Sequence, residues 1–387
     1  MKILVLGGAG IVGKAITKDL LGQSDVSMVV IGDINVKRAE KYLATLGGSK
    51  GSVQRVDVND HDNLIKTMKN FDVIASCVYY GMVIPITKAA IAARVHYADL
   101  GGFVTGTKAQ SEMDDEIKKA GITVLHGCGS GPGLTNVMAR YGADKLDRVD
   151  EIHIRAGATA PSPGSPQVKG AGMTIQTVLD EFTMHPVILD NGEYKELPPI
   201  TGREVVKFPD PMGEQVCYYS RHSEPWTLGR YIGKGLKHAD IKVVFPQEEL
   251  DKLSPFIESG LTSREPIDFK GQSIVPREFL DRVLVVKEQE EEEQGSEFCG
   301  TVQWVIGEKD NERIKITHTF SVEHEKRWGN TKTGVPFSVG ILMIGRGEIT
   351  KRGFTVPEEA IDPSRFIEEI KKRGFVFTEK EERFKTL

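Results

Sequence analysis

The residues best suited to chemistry begin at the seventh position. Leu4-Val5-Leu6-Gly7-Gly8-Ala9-Gly10-Ile11-Val12-Gly13 is a short apolar run that breaks into glycines and resumes as an amphipathic segment. Glycines between a strand and a helix allow a tight turn, let a pyrophosphate reach the backbone and bring helix and strand together, while the helix start supplies N–H donors. Gly8, Gly10 and Gly13 fit GxGxxG, and Gly7, Gly10 and Gly13 fit GxxGxxG; the register stays open. Gly7, Gly10, Ile11, Val12 and Gly13 are therefore read as dinucleotide-binding residues. Asp33 ends the next apolar run 20 residues past Gly13, where an acidic group that accepts the adenosine ribose hydroxyls belongs. It would repel a 2′-phosphate, so NAD is favoured over NADP, unless Arg38 reaches the same pocket. Asp57 and Val58, at the end of the third run, are placed on the adenine side, although Asp57 has an equally good structural role as a helix N-cap. A second glycine-rich stretch runs Gly127-Cys128-Gly129-Ser130-Gly131-Pro132-Gly133-Leu134-Thr135-Asn136. It brings backbone close to a ligand, or serves a domain-crossing turn. Tyr219-Ser220-Arg221-His222-Ser223-Glu224-Pro225-Trp226 gathers a cation, an imidazole, a carboxylate and aromatics within a few residues.

These residues need a frame. Apolar runs at 2–6, 27–31, 53–56, 73–77, 96–100 and 123–126 alternate with helical patterns at 12–21, 36–46, 61–68, 85–93 and 110–120. This is the signature of repeated βα units, closing as a Rossmann-like, doubly wound parallel sheet with ligands at the carboxyl ends of its strands. After residue 136, strands follow one another with turns between them. Asp190-Asn191-Gly192 predicts a hairpin between runs at 187–189 and 194–197. Further strands are expected at 241–245, 282–286, 299–307 and 313–322. A loop is expected at 161–166, and the acidic run 290–293 reads as a solvated hairpin tip. The fold class is α/β followed by an α+β, mostly antiparallel domain, divided as 1–136, 137–334 and a C-terminal segment, 335–387. In that last segment, 337–349 and 365–373 read as helices.

Composition narrows the class of protein. The chain has 387 residues, 39% hydrophobic and 27% charged, ample for two packed domains. A formal charge of −5 offers no basic excess for a nucleic acid partner. The uncharged stretch 73–87 contains Pro85 and falls short of the about 20 apolar residues that a membrane helix requires. Met1 and Lys2 run directly into the first strand with no room for a signal peptide, so a cytoplasmic location is expected. The cysteines, Cys77, Cys128, Cys217 and Cys299, show no CxxC spacing, and neither a disulfide framework nor a metal is expected.

Several of these motifs together resemble one family. The Gly-x-Gly-Pro-Gly-Leu-Thr-Asn stretch, the early glycine loop, Tyr97-Ala98-Asp99-Leu100-Gly101-Gly102, and Lys351-Arg352-Gly353 with Pro357-Glu358-Glu359-Ala360-Ile361 are similar to the saccharopine dehydrogenase and lysine 6-dehydrogenase family. The resemblance implies a nicotinamide-dependent enzyme acting at a carbon–nitrogen bond of an amino-acid substrate. It also implies a C-terminal tail that returns to the cofactor domain, and a second domain that binds substrate and forms a homodimer. Saccharopine reductases tend to carry Asp before the Pro-Gly of the third motif; Gly131 stands there, closer to lysine 6-dehydrogenase-like and carboxynorspermidine dehydrogenase-like members. An amine with a pKa of about 10.4 must lose its proton before hydride can leave the neighbouring carbon. His222 suits that base role, with Glu224 or Asp99 as alternatives. Arg221 or Arg230 would clamp a carboxylate, and Tyr79 or Tyr80 at the end of the fourth strand would meet the substrate. Additional substrate carboxylates would draw on Arg203 or Lys234. The expected activity is oxidation at the terminal carbon–nitrogen bond of lysine or of a lysine-derived amine. A secondary-amine dehydrogenase of the saccharopine or carboxynorspermidine type is the alternative reaction, and a non-catalytic NAD-binding sensor the alternative class.

Overall fold

The computed structural model describes residues 1–158, 175–245, 247–288 and 295–384. The expected features at 161–166 and 290–293 lie outside them. Strands β1 (Lys2–Leu6), β2 (Met28–Asp33), β3 (Gly51–Arg55), β4 (Val73–Ser76), β5 (His96–Asp99) and β6 (Thr123–Leu125) form one parallel sheet in the order 6-5-4-1-2-3. The order reverses between β1 and β4, which opens a crevice above their carboxyl ends. β1 is buried from Ile3 to Leu6, as a strand with helices on both faces must be. Its near-continuous apolar run is the sequence trace of that burial.

The sheet gains a seventh strand late in the sequence, because Gly353–Thr355 pairs in parallel with β6. Helix Thr331–Gly345 covers the sheet beside the first helix, Ile11–Leu21, and Asn330 donates its backbone N–H to Ile11 O at 2.9 Å. The approach is so close that a Cβ on Gly334 would stand 2.7 Å from Ala15 Cβ. Glycine there is a packing requirement. The segment 335–387, expected to return as a unit, instead divides. Its last strand, Val376–Phe384, leaves the first domain and pairs antiparallel with Glu312–Glu325.

Among the described residues, the second sheet has nine strands. Arg148–Ala158 lies at its centre, antiparallel to Ser296–Lys309 and parallel to His238–Val244. The predicted hairpin is present as Val187–Asp190 and Glu193–Glu196, with Asn191 and Gly192 at φ of 52° and 82°. Positive φ at both turn positions matches the right-handed twist of the strands.

Two expected elements differ. The run 282–286 is helical, inside Pro276–Glu288. A short apolar run does not by itself separate buried strand from helix, whereas Pro276 at the first helical position and the spacing of Leu280 and Leu284 against one core cluster favour helix. The predicted helix 110–120 is two, Val104–Ser111 and Asp114–Ala120. Asp114, Asp115 and Glu116 collect in the first turn of the latter, with Lys118 and Lys119 in its last, so the helix dipole favours a fresh start. Among the described residues, no helix is long and apolar enough to cross a membrane.

Candidate active site

A groove of about 500 Å³ opens at the carboxyl ends of β1, β2 and β4. Gly7, Gly10, Ile11, Asp33, Asp57 and Val58, read from the sequence as cofactor contacts, line it together with Tyr79, read as a substrate contact. Gly7 turns the backbone at φ 74°. Gly10 is the N-cap of helix Ile11–Leu21, and a Cβ there would meet only Gly7 O within 4 Å, leaving its outer side open to the groove. Val12 and Gly13 do not line the groove. Val12 packs on the core, and a Cβ on Gly13 would lie 2.1 Å from Gly7 O, so Gly13 serves helix–strand contact rather than the ligand. An open glycine cradle, a helix N-terminus and a buried acid at the end of β2 fit a dinucleotide.

The adenosine end carries both signs of charge. Asp33 is almost fully buried, and Arg38 Nη2 lies 3.2 and 3.1 Å from its two carboxylate oxygens. Arg38 thus shares the ribose pocket with Asp33. Asp57 is not the cap of the next helix, because Asp60 holds that role with its side chain on Asn63 N. Asp57 instead accepts from the backbone and side chain of Asn59, which hold its carboxyl below the usual range.

Where the second domain meets β4, β5 and β6, His222 is held between two carboxylates. Its Nε2 lies 2.9 Å from Glu181 Oε1 and its Nδ1 3.3 Å from Glu224. Burial opposes the imidazolium, but Glu181 and Glu224 outweigh it and hold the pKa well above the ordinary histidine value. The two carboxylates thus favour the protonated form of the His222 ring. Glu224, fully buried, accepts the Thr135 hydroxyl at 3.2 Å. A Cβ on Gly131 would lie 2.9 Å from Glu224 Oε1, so a larger residue in the third motif would displace the carboxylate. Glu181 also accepts from Ser220 Oγ.

The adjacent residue, Asp180, faces the first domain. Tyr79 donates to Tyr80 at 2.9 Å, Tyr80 donates to Asp180, and Arg264 and Arg277 each reach Asp180 Oδ1 at 2.8 Å. Gln176, one turn earlier on the same helix, lines the dinucleotide groove, so this helix, Ile175–Thr183, joins groove and histidine cluster. Arg221 lies 5.7 Å over the Phe103 ring with its buried Nε unpartnered among the described residues. Two candidates are not brought to the site. Arg230 is exposed and stacked 3.9 Å over Trp226, its Nη1 on Tyr194 Oη. Asp99 is sealed: it accepts from Gly101 N, Gly127 N and Gln110 Nε2 and lies 2.9 Å from His126 Nδ1. Burial raises its pKa, yet His126 and these donors pull it below the usual range; it pins the loops after β5 and β6.

Glu181, Asp180, Arg264 and Arg277 carried no motif that could have marked them. Glu358 belongs to the Pro-Glu-Glu signature, whose local spacing does not reveal its long-range partner. Asn136 Nδ2 donates to Glu358 Oε1 at 2.9 Å and to Thr227 Oγ1 at 3.1 Å, tying the third motif to both later segments. Burial pushes the Glu358 carboxyl up to about 7. A raised folded-state pKa makes stability fall as pH climbs from the unfolded value through 7. Glu358→Gln should therefore add about 1–3 kcal/mol above pH 7 and little below pH 5, read from urea midpoints at both pH values. Equal effects at both would show that the carboxyl is not held protonated.

Comparisons place this geometry among known proteins. Residues 3–125 match the saccharopine dehydrogenase NADP binding domain, and residues 129–375 the saccharopine dehydrogenase C-terminal domain. A carboxyaminopropylagmatine dehydrogenase from Synechocystis is 23% identical over 98% of this chain and 97% of its own. A carboxynorspermidine synthase from Vibrio cholerae is 24% identical over 97% and 95%. The apo saccharopine dehydrogenase (L-Glu forming) of Saccharomyces cerevisiae superposes with a TM-score of 0.74 at 17% identity, over 98% and 99% of the two proteins, and so shares the fold. With both of its domains matched in order across nearly its whole length, the chain belongs to the saccharopine dehydrogenase family.

Proposed function

We propose that the protein is a pyridine-nucleotide-dependent oxidoreductase of a secondary amine, of the carboxynorspermidine or carboxyaminopropylagmatine type, rather than a lysine 6-dehydrogenase. The observation that carries this reading is His222 held between Glu181 and Glu224, with Glu181 on the helix whose Gln176 lines the groove. The nicotinamide, when bound, supplies the hydride donor or acceptor. Joining an aldehyde to an amine passes through a C=N bond, whose nitrogen must be protonated before the carbon accepts hydride. The His222–Glu181–Glu224 cluster gives that proton, and in the oxidative direction takes it back. Glu181 and Glu224, two carboxylates on one imidazole, favour the cationic amine portion. Arg221, whose Nε has no partner among the described residues, favours the carboxylate. The full-length similarity to two secondary-amine enzymes supports this reading over lysine.

The test is initial-rate NAD⁺ or NADP⁺ reduction with carboxynorspermidine, carboxyaminopropylagmatine, saccharopine and lysine in parallel. A kcat/KM for one of the first two at least ten-fold above lysine is expected; lysine as the best substrate would overturn the proposal, and no turnover of any would favour the sensor reading.

For the cofactor, the Asp33–Arg38 pair supports use of both dinucleotides. Asp33 suits free ribose hydroxyls and Arg38 a 2′-phosphate, and a charged hydrogen bond contributes about 1.5–3 kcal/mol, or about ten-fold to a hundred-fold. Asp33→Ala should weaken NAD by that factor and spare NADP, while Arg38→Ala should weaken NADP alone. Calorimetric titration of both ligands decides this, and unchanged affinities would remove the pair from the site.

A further inference from the structure

On the second domain, away from the groove, two imidazoles converge on one carboxylate oxygen. His153 Nδ1 and His238 Nε2 each lie 3.0 Å from Asp240 Oδ2. His153 sits on the central strand Arg148–Ala158, while His238 and Asp240 sit on the neighbouring His238–Val244. The far nitrogens are also committed. His153 Nε2 is 3.0 Å from Glu151 Oε2, and His238 Nδ1 is 3.4 Å from Asp190 Oδ1.

Each carboxylate divides its oxygens in the same way. Arg313 takes the other oxygen of Glu151, Lys195 that of Asp190, and Arg155 that of Asp240. The oxygens left over are the ones facing the imidazoles. A neutral imidazole carries one N–H, so each ring, facing a carboxylate oxygen at both nitrogens, lacks a proton for one of the two contacts. A second proton on the ring, which the Asp240 hydrogen bond favours at His238, or a metal ion between the near atoms makes good that deficit.

We propose that His153, His238 and Asp240 bind one divalent transition-metal ion of the zinc class. Zn²⁺ at about 2.0–2.1 Å from N and O ligands separates tetrahedral ligand atoms by about 3.3 Å. The two N···O separations of 3.0 Å are close to that, and the three ligand atoms lie within 4.8 Å of one another. Glu151 and Asp190 are the outer carboxylates that fix ring orientation in histidine–metal sites. An open depression lined by both histidines leaves a fourth position to water and gives the ion a way in. The ligand set is mixed nitrogen and oxygen, which selects zinc, cobalt or nickel over calcium or magnesium. Bridging two strands and the hairpin that carries Asp190, the ion acts as a clamp on the second sheet. The 85-residue gap between the two histidines is why no sequence spacing marks the site.

The test is titration of the full-length protein, free of any polyhistidine tag, with Zn²⁺ by calorimetry and with Co²⁺ by visible absorption. One equivalent of Zn²⁺ should bind, raise the melting temperature and give Co²⁺ d–d bands without a thiolate charge-transfer band. His153→Gln and His238→Gln, on partly exposed side chains, should each cost at least ten-fold in affinity, and Glu151→Gln a smaller loss through His153. Cys299→Ser, in a separate Glu297, Cys299 and His324 cluster, should leave binding unchanged. Absence of stoichiometric binding, affinities unchanged in both histidine variants, or binding lost in Cys299→Ser would each overturn the assignment.

Discussion

His222→Ala is expected to lower turnover by about 10²–10⁴-fold with little change in cofactor affinity, because it removes the group that moves a proton to and from the substrate nitrogen. Glu181 and Glu224 keep the imidazolium above the ordinary histidine range, so the limb in the pH profile should lie above neutrality. Reductive kcat should hold through pH 7 and fall as His222 loses its proton, while oxidative kcat should rise over the same interval. Glu181→Gln removes one of the two charges responsible and should move that limb toward lower pH. This shift separates proton transfer from mere positioning. The substrate amine titrates too, at about 10.4, so kcat at saturation is measured beside kcat/KM. If His222→Ala raises KM alone and leaves the limb in place, His222 orients substrate and the proton moves elsewhere.

Gly10→Val should abolish dinucleotide binding in a protein that still folds. The added side chain would enter the groove where a pyrophosphate must approach the backbone, and apart from Gly7 O nothing within 4 Å obstructs it. Gly13→Val should behave in the opposite way. Its Cβ would lie 2.1 Å from Gly7 O and 2.7 Å from Gly8 Cα, so the first helix must lift from the sheet and the protein loses stability before binding is tested. Circular dichroism melts with fluorescence titration of the reduced dinucleotide distinguish the two outcomes. Normal binding by folded Gly10→Val would reduce the glycine loop to a turn.

The contrast between these glycines shows what the sequence made legible. A strand, a glycine turn and a helix are contiguous, so their residues, Asp33 included, can be read from local spacing alone. The same applies to the Asn-Gly hairpin. The histidine cluster was legible only in part, since His222 and Glu224 are neighbours in sequence while Glu181 arrives on a helix some 40 residues earlier. Without Glu181 the imidazole reads as an ordinary base; with it, as a held acid. Arg230 and Arg221 looked equivalent because spacing does not show that Trp226 draws Arg230 to an exposed stack. Asp99 occupied the right strand end, but its capacity is taken up by three donors and His126, a fact of loop packing that one strand does not carry. The seventh strand is similar: Gly353–Thr355 is too short to stand out, and its partner β6 lies more than 200 residues away.

Product analysis separates secondary-amine cleavage from lysine deamination. Oxidising a secondary amine at the carbon beside nitrogen and adding water gives an aldehyde and a primary amine, whereas deamination at the terminal amine of lysine releases ammonia. The enzyme is incubated with oxidised dinucleotide and carboxynorspermidine, or with lysine, and the products are followed by mass spectrometry together with ammonia. A secondary-amine oxidoreductase gives stoichiometric aldehyde and primary amine from carboxynorspermidine, one reduced dinucleotide per cleavage, and no ammonia. Ammonia released from lysine, with carboxynorspermidine left intact, would contradict it.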